Sequence, residues 1–157
     1  MGISINLYRV SKAENINELK DLKTELFEAA PKKIDLYKMT EDLAIIFLNQ
    51  IDPFTDTTTI PYKMLFGNAV TVTGHPEIGG FIPSSQILTI TNWIKEHQID
   101  TPNGFAKMYA DLSAAVKAEL DDIGSPDHEE LYDYVRPMTS FYLSALEEGN
   151  AVIICGE

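Results

Sequence analysis

Strand-type patterns stand near both ends of this 157-residue sequence, and helical patterns fill most of the sequence between them. Residues 3–10, ISINLYRV, alternate apolar Ile3, Ile5 and Leu7 with polar side chains, which is typical of a strand with one face in a core. The segment AVIIC at 151–155 is continuously apolar and predicts another strand. The fold therefore needs a sheet that includes both of these strands and helices that cover it.

Five segments carry apolar residues at the spacing of an amphipathic helix. We expect helices at about 12–29, 40–51, 85–97, 101–120 and 125–148. Four of them follow a residue that can cap a helix, namely Ser11, Thr40, Thr101 and Ser125.

Three details of these helices can be tested against a structure. In the first helix, Ser11 and Glu14 have the spacing of a capping box, and Phe27 falls on the inward stripe. In the last helix, Pro137 is expected to cause a kink or a break, because proline removes an internal hydrogen bond at a cost of ~3 kcal/mol. Gly149 is expected to end that helix as a left-handed cap.

Residues 52–85 contain four prolines and a run of three threonines, so they suit loops and short strands and not a long helix. The best strand candidate within them is AVTVT, residues 69–73. We therefore predict one α+β domain over residues 1–157. Its small mixed sheet includes the N- and C-terminal strands and packs against about five helices.

The formal charge of −12, from 12 Lys and Arg against 24 Asp and Glu, limits the choice of partners. Only two arginines are present, Arg9 and Arg136, so the chain lacks the basic surface that nucleic acids require. Its acidity suits a basic protein partner, since complementary fields speed encounter, and it equally serves solubility. A homodimer is a further alternative.

The sequence gives little indication of membrane insertion, secretion or disulfide formation. No apolar stretch approaches the ~20 residues of a membrane span, and the first residues do not resemble a signal peptide. The single Cys155 excludes an internal disulfide, and its apolar neighbours predict a buried side chain. We expect a cytoplasmic bacterial protein without membrane contact.

The stretch TVTGHPEIGGFIPSS, residues 71–85, contains the clearest candidates for catalysis. His75 and Glu77 flank Pro76, and an imidazole beside a carboxylate can act as a general acid and base near neutral pH. The glycines equally suit a turn, and no phosphate-binding motif accompanies them. Two interpretations follow: a connecting loop, which the pattern favours, and the site of a hydrolase-type enzyme or small-ligand-binding protein.

A second polar cluster, SPDHEELYDY at 125–134, contains three candidate metal ligands, His128, Glu129 and Asp133. At helical spacing Glu129 and Asp133 share one face, which would suit a hard divalent ion. Acidic residues in a first helical turn also complement the positive end of the helix dipole. Since no known metal motif is present, the second explanation is favoured, and we predict neither a metal nor a cofactor.

Four segments together resemble a known family. FYLSALEEGNAVIICGE is similar to the ending of the YfbM-like family of small bacterial proteins, and MGISINLYRV, DLYKMTEDLAIIFLNQ and GGFIPSSQILTITNWI resemble earlier family segments in the same order. Met39 or Thr40 stands where the family commonly has Trp, and Ala44 and Ile45 replace a Leu-His pair. The resemblance implies a single α and β domain in a family without an established activity.

Overall fold

Both terminal strand patterns form strands of one sheet. The computed structural model describes residues 4–156, except for the side chain of Ala30, so Ile3 of the first predicted strand lies outside it. The strands are β1 (Ile5–Val10), β2 (Lys33–Tyr37), β3 (Asn68–Ala69), β4 (Ile78–Ile82) and β5 (Ala151–Gly156). The α-helices are α1 (Leu22–Glu28), α2 (Thr40–Leu48), α3 (Ile60–Phe66), α4 (Ile87–His97), α5 (Pro102–Ala110), α6 (Ala114–Asp122) and α7 (His128–Glu148).

The sheet has the order β2-β1-β5-β4-β3, so β5 lies in its centre between β1 and β4. This arrangement confirms the α+β prediction with both terminal strands in one sheet. Every neighbouring pair of strands in residues 4–156 is antiparallel, where mixed directions were expected. The same residues form seven α-helices instead of about five, because α3 was not predicted and one predicted helix is divided in two.

β5 is buried on both of its faces. Val152 and Ile154 belong to the main core, which fills the space between the sheet and α2–α7. Ile153 and Cys155 belong to a smaller core on the opposite face, which the segment 13–29 covers. Burial on both faces explains why this strand is continuously apolar instead of alternating.

The helix predicted at about 12–29 is wrong in its first half. Asn15 caps a single 3-10 turn at Ile16–Glu18, and the Glu18 side chain completes a capping box there. Asp21 then caps α1 by accepting a hydrogen bond from the backbone N–H of Thr24 at 3.1 Å. Two closely spaced caps therefore divide this segment, although its apolar spacing alone predicts one continuous helix.

The residues predicted to cap that helix have other partners. The Ser11 hydroxyl donates to the Glu25 carboxylate at 2.7 Å, and Glu14 accepts from the backbone N–H of Ser85 at 2.9 Å. Phe27, which was predicted to point inward, is 79% exposed. The prediction that Phe27 belongs to the buried face of the first helix is therefore wrong.

Later helix boundaries are partly as predicted. Thr101 caps α5 as expected, but Thr40 is the first residue of α2 and not its cap, and Asp127 takes the place predicted for Ser125. The helix predicted at 101–120 is divided by Ser113, whose side chain caps α6. The apolar spacing continues across this division, which is why periodicity alone did not reveal it.

The last helix, α7, continues through Pro137 without a break, and Gly149 ends it with a φ of 70° as predicted. Its 21 residues contribute many of the main-core side chains. Within the described part of the chain, no helix combines the length and apolar character that crossing a membrane requires.

The proline-rich segment contains two elements that the sequence did not reveal. A short helix, α3, begins after Thr59, whose hydroxyl accepts from the backbone N–H of Tyr62 at 3.3 Å. β4 lies inside the stretch 71–85 that was interpreted as a loop, and β3 covers only the first residue of AVTVT. Two glycines within β4 hide its strand pattern, because they remove the side chains that would alternate.

The close approach of β4 to the end of α3 predicts opposite effects for two neighbouring glycines. A Cβ on Gly80 would lie 2.0 Å from the carbonyl oxygen of Phe66, whereas one on Gly79 would meet no atom within 4 Å. Gly80→Ala should therefore lower the free energy of unfolding by at least about 2 kcal/mol, because backbone cannot yield as a side chain does. Gly79→Ala should change it by less than about 0.5 kcal/mol. Denaturant unfolding of both variants checks this, and equal effects would contradict the packing described.

Candidate functional site

The structure brings His75 and Glu77 together in the turn before β4. Nδ1 of His75 lies 3.2 Å from Oε1 of Glu77. The pKa of the Glu77 carboxyl is lowered, chiefly by a hydrogen bond from its own backbone N–H and to a smaller extent by the His75 ring. The backbone closes the turn, since His75 N–H donates to Val72 and Ile78 N–H donates to His75, each at 3.1 Å.

The surroundings of this pair are open. The side chains of His75 and Glu77 are 29% and 45% exposed, and neither lines any of the five described cavities. The Glu77 carbonyl accepts from the backbone N–H of Gly156 at 3.0 Å, which ties the turn to the end of β5. An acid–base pair acts on a substrate best in a concave site, and this pair lies outside the five described cavities.

The three candidate metal ligands lie in the first two turns of α7. His128 packs against Tyr109, with 5.6 Å between the ring centroids. Glu129 and Asp133 are exposed, and Asp127 before them accepts from the backbone N–H of Glu130 at 2.9 Å. Within residues 4–156, no three His, Cys, Asp or Glu side chains are grouped so that they could hold a metal ion.

The same region forms a strongly acidic surface. Residues 119–133 contain seven Asp and Glu and no Lys or Arg, so they carry seven of the twelve excess negative charges. We call this surface the acidic end; its carboxylates are those of Glu119, Asp121, Asp122, Asp127, Glu129, Glu130 and Asp133. Glu119 is half-buried and the others are exposed, and none of the seven forms an ion pair with another residue of 4–156. The sequence showed these charges, but it did not show that they share one end of the molecule.

The acidic end adjoins apolar groups. The pKa of the Tyr109 hydroxyl is raised, mainly by burial and further by the nearby charges of Asp121 and Asp127. Ile123, at the end of α6, is 43% exposed. An exposed aliphatic side chain and a half-buried tyrosine therefore lie among carboxylates whose fields reach them.

A cavity of 440 Å³ lies where the C-terminal ends of α2 and α4 meet α5. Nδ1 of His97 lies 3.1 Å from the Trp93 carbonyl oxygen, and the two rings stack with centroids 4.3 Å apart. Asn49 and Gln98, also in its wall, have positive φ and end α2 and α4. These three polar groups complete helices, and Lys107 and Asp111, also in the wall, pair with each other at 2.6 Å between Nζ and Oδ2.

A larger cavity of 470 Å³ lies between α3 and one end of the sheet. Its wall is mostly apolar and includes Phe66, whose ring packs against Tyr62 with centroids 4.8 Å apart. Lys63 is the one Lys or Arg among its lining residues. This wall offers surface for binding but no nucleophile or acid–base pair.

Comparisons with known proteins add no further constraint. No family model, curated protein or solved structure matches this chain. The geometry described here is therefore the basis for a functional proposal.

The state of Cys155 gives a test of the second core. Burial raises the pKa of its thiol from 9.0 to about 11, with a smaller effect from the Glu77 charge. Because the thiolate is the reactive form, iodoacetamide at pH 8 should label the native chain far more slowly than the unfolded chain. Mass spectrometry of timed samples measures both rates. Equal labelling rates would contradict the burial of Cys155.

The raised pKa of the Cys155 thiol also implies that the free energy of unfolding falls as pH rises from 9 toward 11, because the unfolded state loses this proton first.

Proposed function

We propose that this protein is a non-enzymatic interaction module that binds a basic protein through its acidic end. The observation that carries the proposal is the gathering of seven unpaired carboxylates on the surface formed by residues 119–133. Charges concentrated on one face attract a partner of opposite charge and raise the rate of encounter. A bacterial immunity protein that masks a basic toxin would act in this manner.

The position of apolar groups favours an interface over a surface that only improves solubility. Ile123 is exposed within the acidic end, and Tyr109 lies close enough for Asp121 and Asp127 to raise its pKa. Protein interfaces combine such apolar or aromatic anchors with a polar rim. If the chain also forms a homodimer, we expect it to use another surface, since two acidic ends placed together would repel.

The resemblance to the YfbM-like family stays a proposal about membership and about a cytoplasmic location. It rests on the four sequence segments given above and fits an α+β domain, and it adds no activity to the interpretation. The alternative function, a hydrolase or small-ligand-binding site at residues 71–85, rests on the contact between His75 and Glu77. That alternative receives less support, because neither side chain lines any of the five described cavities.

Two variants of equal net charge test the role of the acidic end. The first neutralises four of its exposed carboxylates, by Asp121→Asn, Asp122→Asn, Glu129→Gln and Glu130→Gln. Asp127 is left unchanged because it caps α7. The control neutralises four carboxylates elsewhere on the chain that form no ion pair within residues 4–156, by Glu28→Gln, Glu41→Gln, Glu96→Gln and Glu147→Gln.

Binding of a labelled helical peptide rich in lysine and leucine is measured by fluorescence anisotropy at an ionic strength of ~0.15 M. We expect the acidic-end variant to bind about tenfold more weakly, since exposed ion pairs contribute ~0.2–1 kcal/mol each. The control should lose less than about twofold. Equal losses in the two variants, or no binding by the parent chain, would overturn the proposal. Circular dichroism confirms that each variant is folded.

A further inference from the structure

A second charged surface of opposite sign lies at the other end of α7. Arg9, Lys32 and Lys33 line a cavity of 300 Å³ between the start of β2 and α7, although the whole chain has only 12 Lys and Arg. The α7 side of this cavity includes Ser140, Phe141 and Ser144. We call this cavity the basic cleft, defined by those six residues.

The charges in the basic cleft are incompletely balanced. One carboxylate oxygen, Oε2 of Glu148, lies 3.1 Å from Nη1 of Arg9 and 3.4 Å from Nζ of Lys32. Lys33 borders the cleft, but it pairs with Tyr8 across the sheet, and its Nζ lies 5.7 Å from the centre of the Tyr8 ring on the face that carries the smaller core. Beside α7, one acidic group thus serves two cations, Arg9 and Lys32.

Two other carboxylates near Arg9 and Lys32 line a different hollow. Glu25 and Glu28 line a separate hollow of 120 Å³ that also contacts Arg9 and Lys32. Glu25 accepts hydrogen bonds from both the hydroxyl and the backbone N–H of Ser11. The cleft beside α7 therefore keeps its positive character.

Arg9 is held in a fixed position. Its side chain is 14% exposed and its Cζ lies 5.9 Å from the centre of the Phe141 ring. Its Nη1 also lies 3.5 Å from the amide oxygen of Asn150, whose amide nitrogen donates to the Val10 carbonyl at 2.9 Å. Only Nη1 is used in these contacts, so Nε and Nη2 keep N–H donors that no described residue accepts. A guanidinium with free, oriented donors suits a carboxylate or phosphate.

The opposite wall adds uncharged donors and an apolar surface. Ser140 and Ser144 lie one helical turn apart on α7, and neither hydroxyl has a hydrogen-bond partner within residues 4–156. Phe141, Ile34 and Pro137 supply carbon surface beside them. Positive charge, two free hydroxyls and an apolar wall in one hollow match a small molecule with an anionic head and a short apolar body.

We propose that the basic cleft binds a small organic anion, with a carboxylate or phosphate against Arg9 and Lys32 and an apolar portion against Phe141. The whole chain repels anions, so such a ligand is retained only where cations are gathered locally. The competing explanation is structural: Arg9, Glu148 and Lys32 could serve only to join β1 and the segment before β2 to the end of α7. This proposal is independent of binding at the acidic end, because it uses other residues and a ligand of opposite charge.

Phenyl phosphate, benzoate and inorganic phosphate serve as probes of the 157-residue chain by NMR. We expect phenyl phosphate or benzoate to shift the backbone signals of Ser140, Phe141 and Ser144 and the Nε–H signal of Arg9. Stronger binding by phenyl phosphate assigns the head group as phosphate, and stronger binding by benzoate assigns it as carboxylate. Inorganic phosphate should bind more weakly than phenyl phosphate, and equal binding would contradict the role of the apolar wall.

A matched pair of lysine variants separates the cleft from general charge effects. Lys32→Gln should weaken probe binding about tenfold, because it removes a charged donor from the cleft. Lys38→Gln removes the same charge just beyond the opposite end of β2 and should weaken binding by less than about twofold. Both side chains are exposed, so both variants are expected to fold. Equal effects of the two variants, or no shifts at the cleft, would overturn the proposal in favour of the structural explanation.

Discussion

Burial of β5 on both faces is the constraint on which the rest of this structure depends. Val152 and Ile154 require a layer of helices on one side, and Ile153 and Cys155 require a cover on the other. Each large aliphatic side chain gains ~1.5–3 kcal/mol when it is removed from water, so leaving either face open would cost much of the stability of a domain. The helices α2–α7 cover the first face, and the short turns and α1 cover the second.

Most polar side chains near the helix ends complete the backbone, and two surfaces are left with charge that neighbouring residues do not fully balance. Thr101, Ser113 and Asp127 cap helices, for example, and so have a structural role. The acidic end and the basic cleft lie toward opposite ends of α7. A rise of ~1.5 Å per residue puts their nearest defining residues on this helix, Asp133 and Ser140, about 10 Å apart along the axis, slightly more than the screening distance of ~8 Å at physiological salt. Salt therefore weakens the interaction between the two surfaces.

The parts of the fold that could be predicted are those in which one local pattern decides the outcome. The spacing of apolar residues in α4 and α7 was sufficient, because one helix face is buried. Apolar spacing was misleading where two signals competed, as at Asn15 and Asp21, whose caps divide a continuous stripe. In β4, consecutive glycines leave no alternation of side chains that could predict the strand.

For the functional surfaces, too, only contacts between residues close in sequence could be predicted. Contact between His75 and Glu77 could be anticipated, since they are two residues apart around a proline. The basic cleft could not, because Arg9 and Glu148 are separated by 139 positions and meet only when β1 lies near the end of α7. Local sequence patterns carry no information about such distant pairs.

The central place of β5 also sets the order in which the sheet can be completed. β1 and β4 do not contact each other in the sheet; each has one edge that only β5 covers, and β5 follows both along the chain. During synthesis those edges stay open until residues beyond 150 are available, and open strand edges readily pair with other chains. The pairing of Leu7 with Ile154 spans nearly the whole described chain, a connection that forms slowly because a long loop must close first. Until translation has passed β5, a nascent chain therefore exposes two strand edges that can pair with other chains.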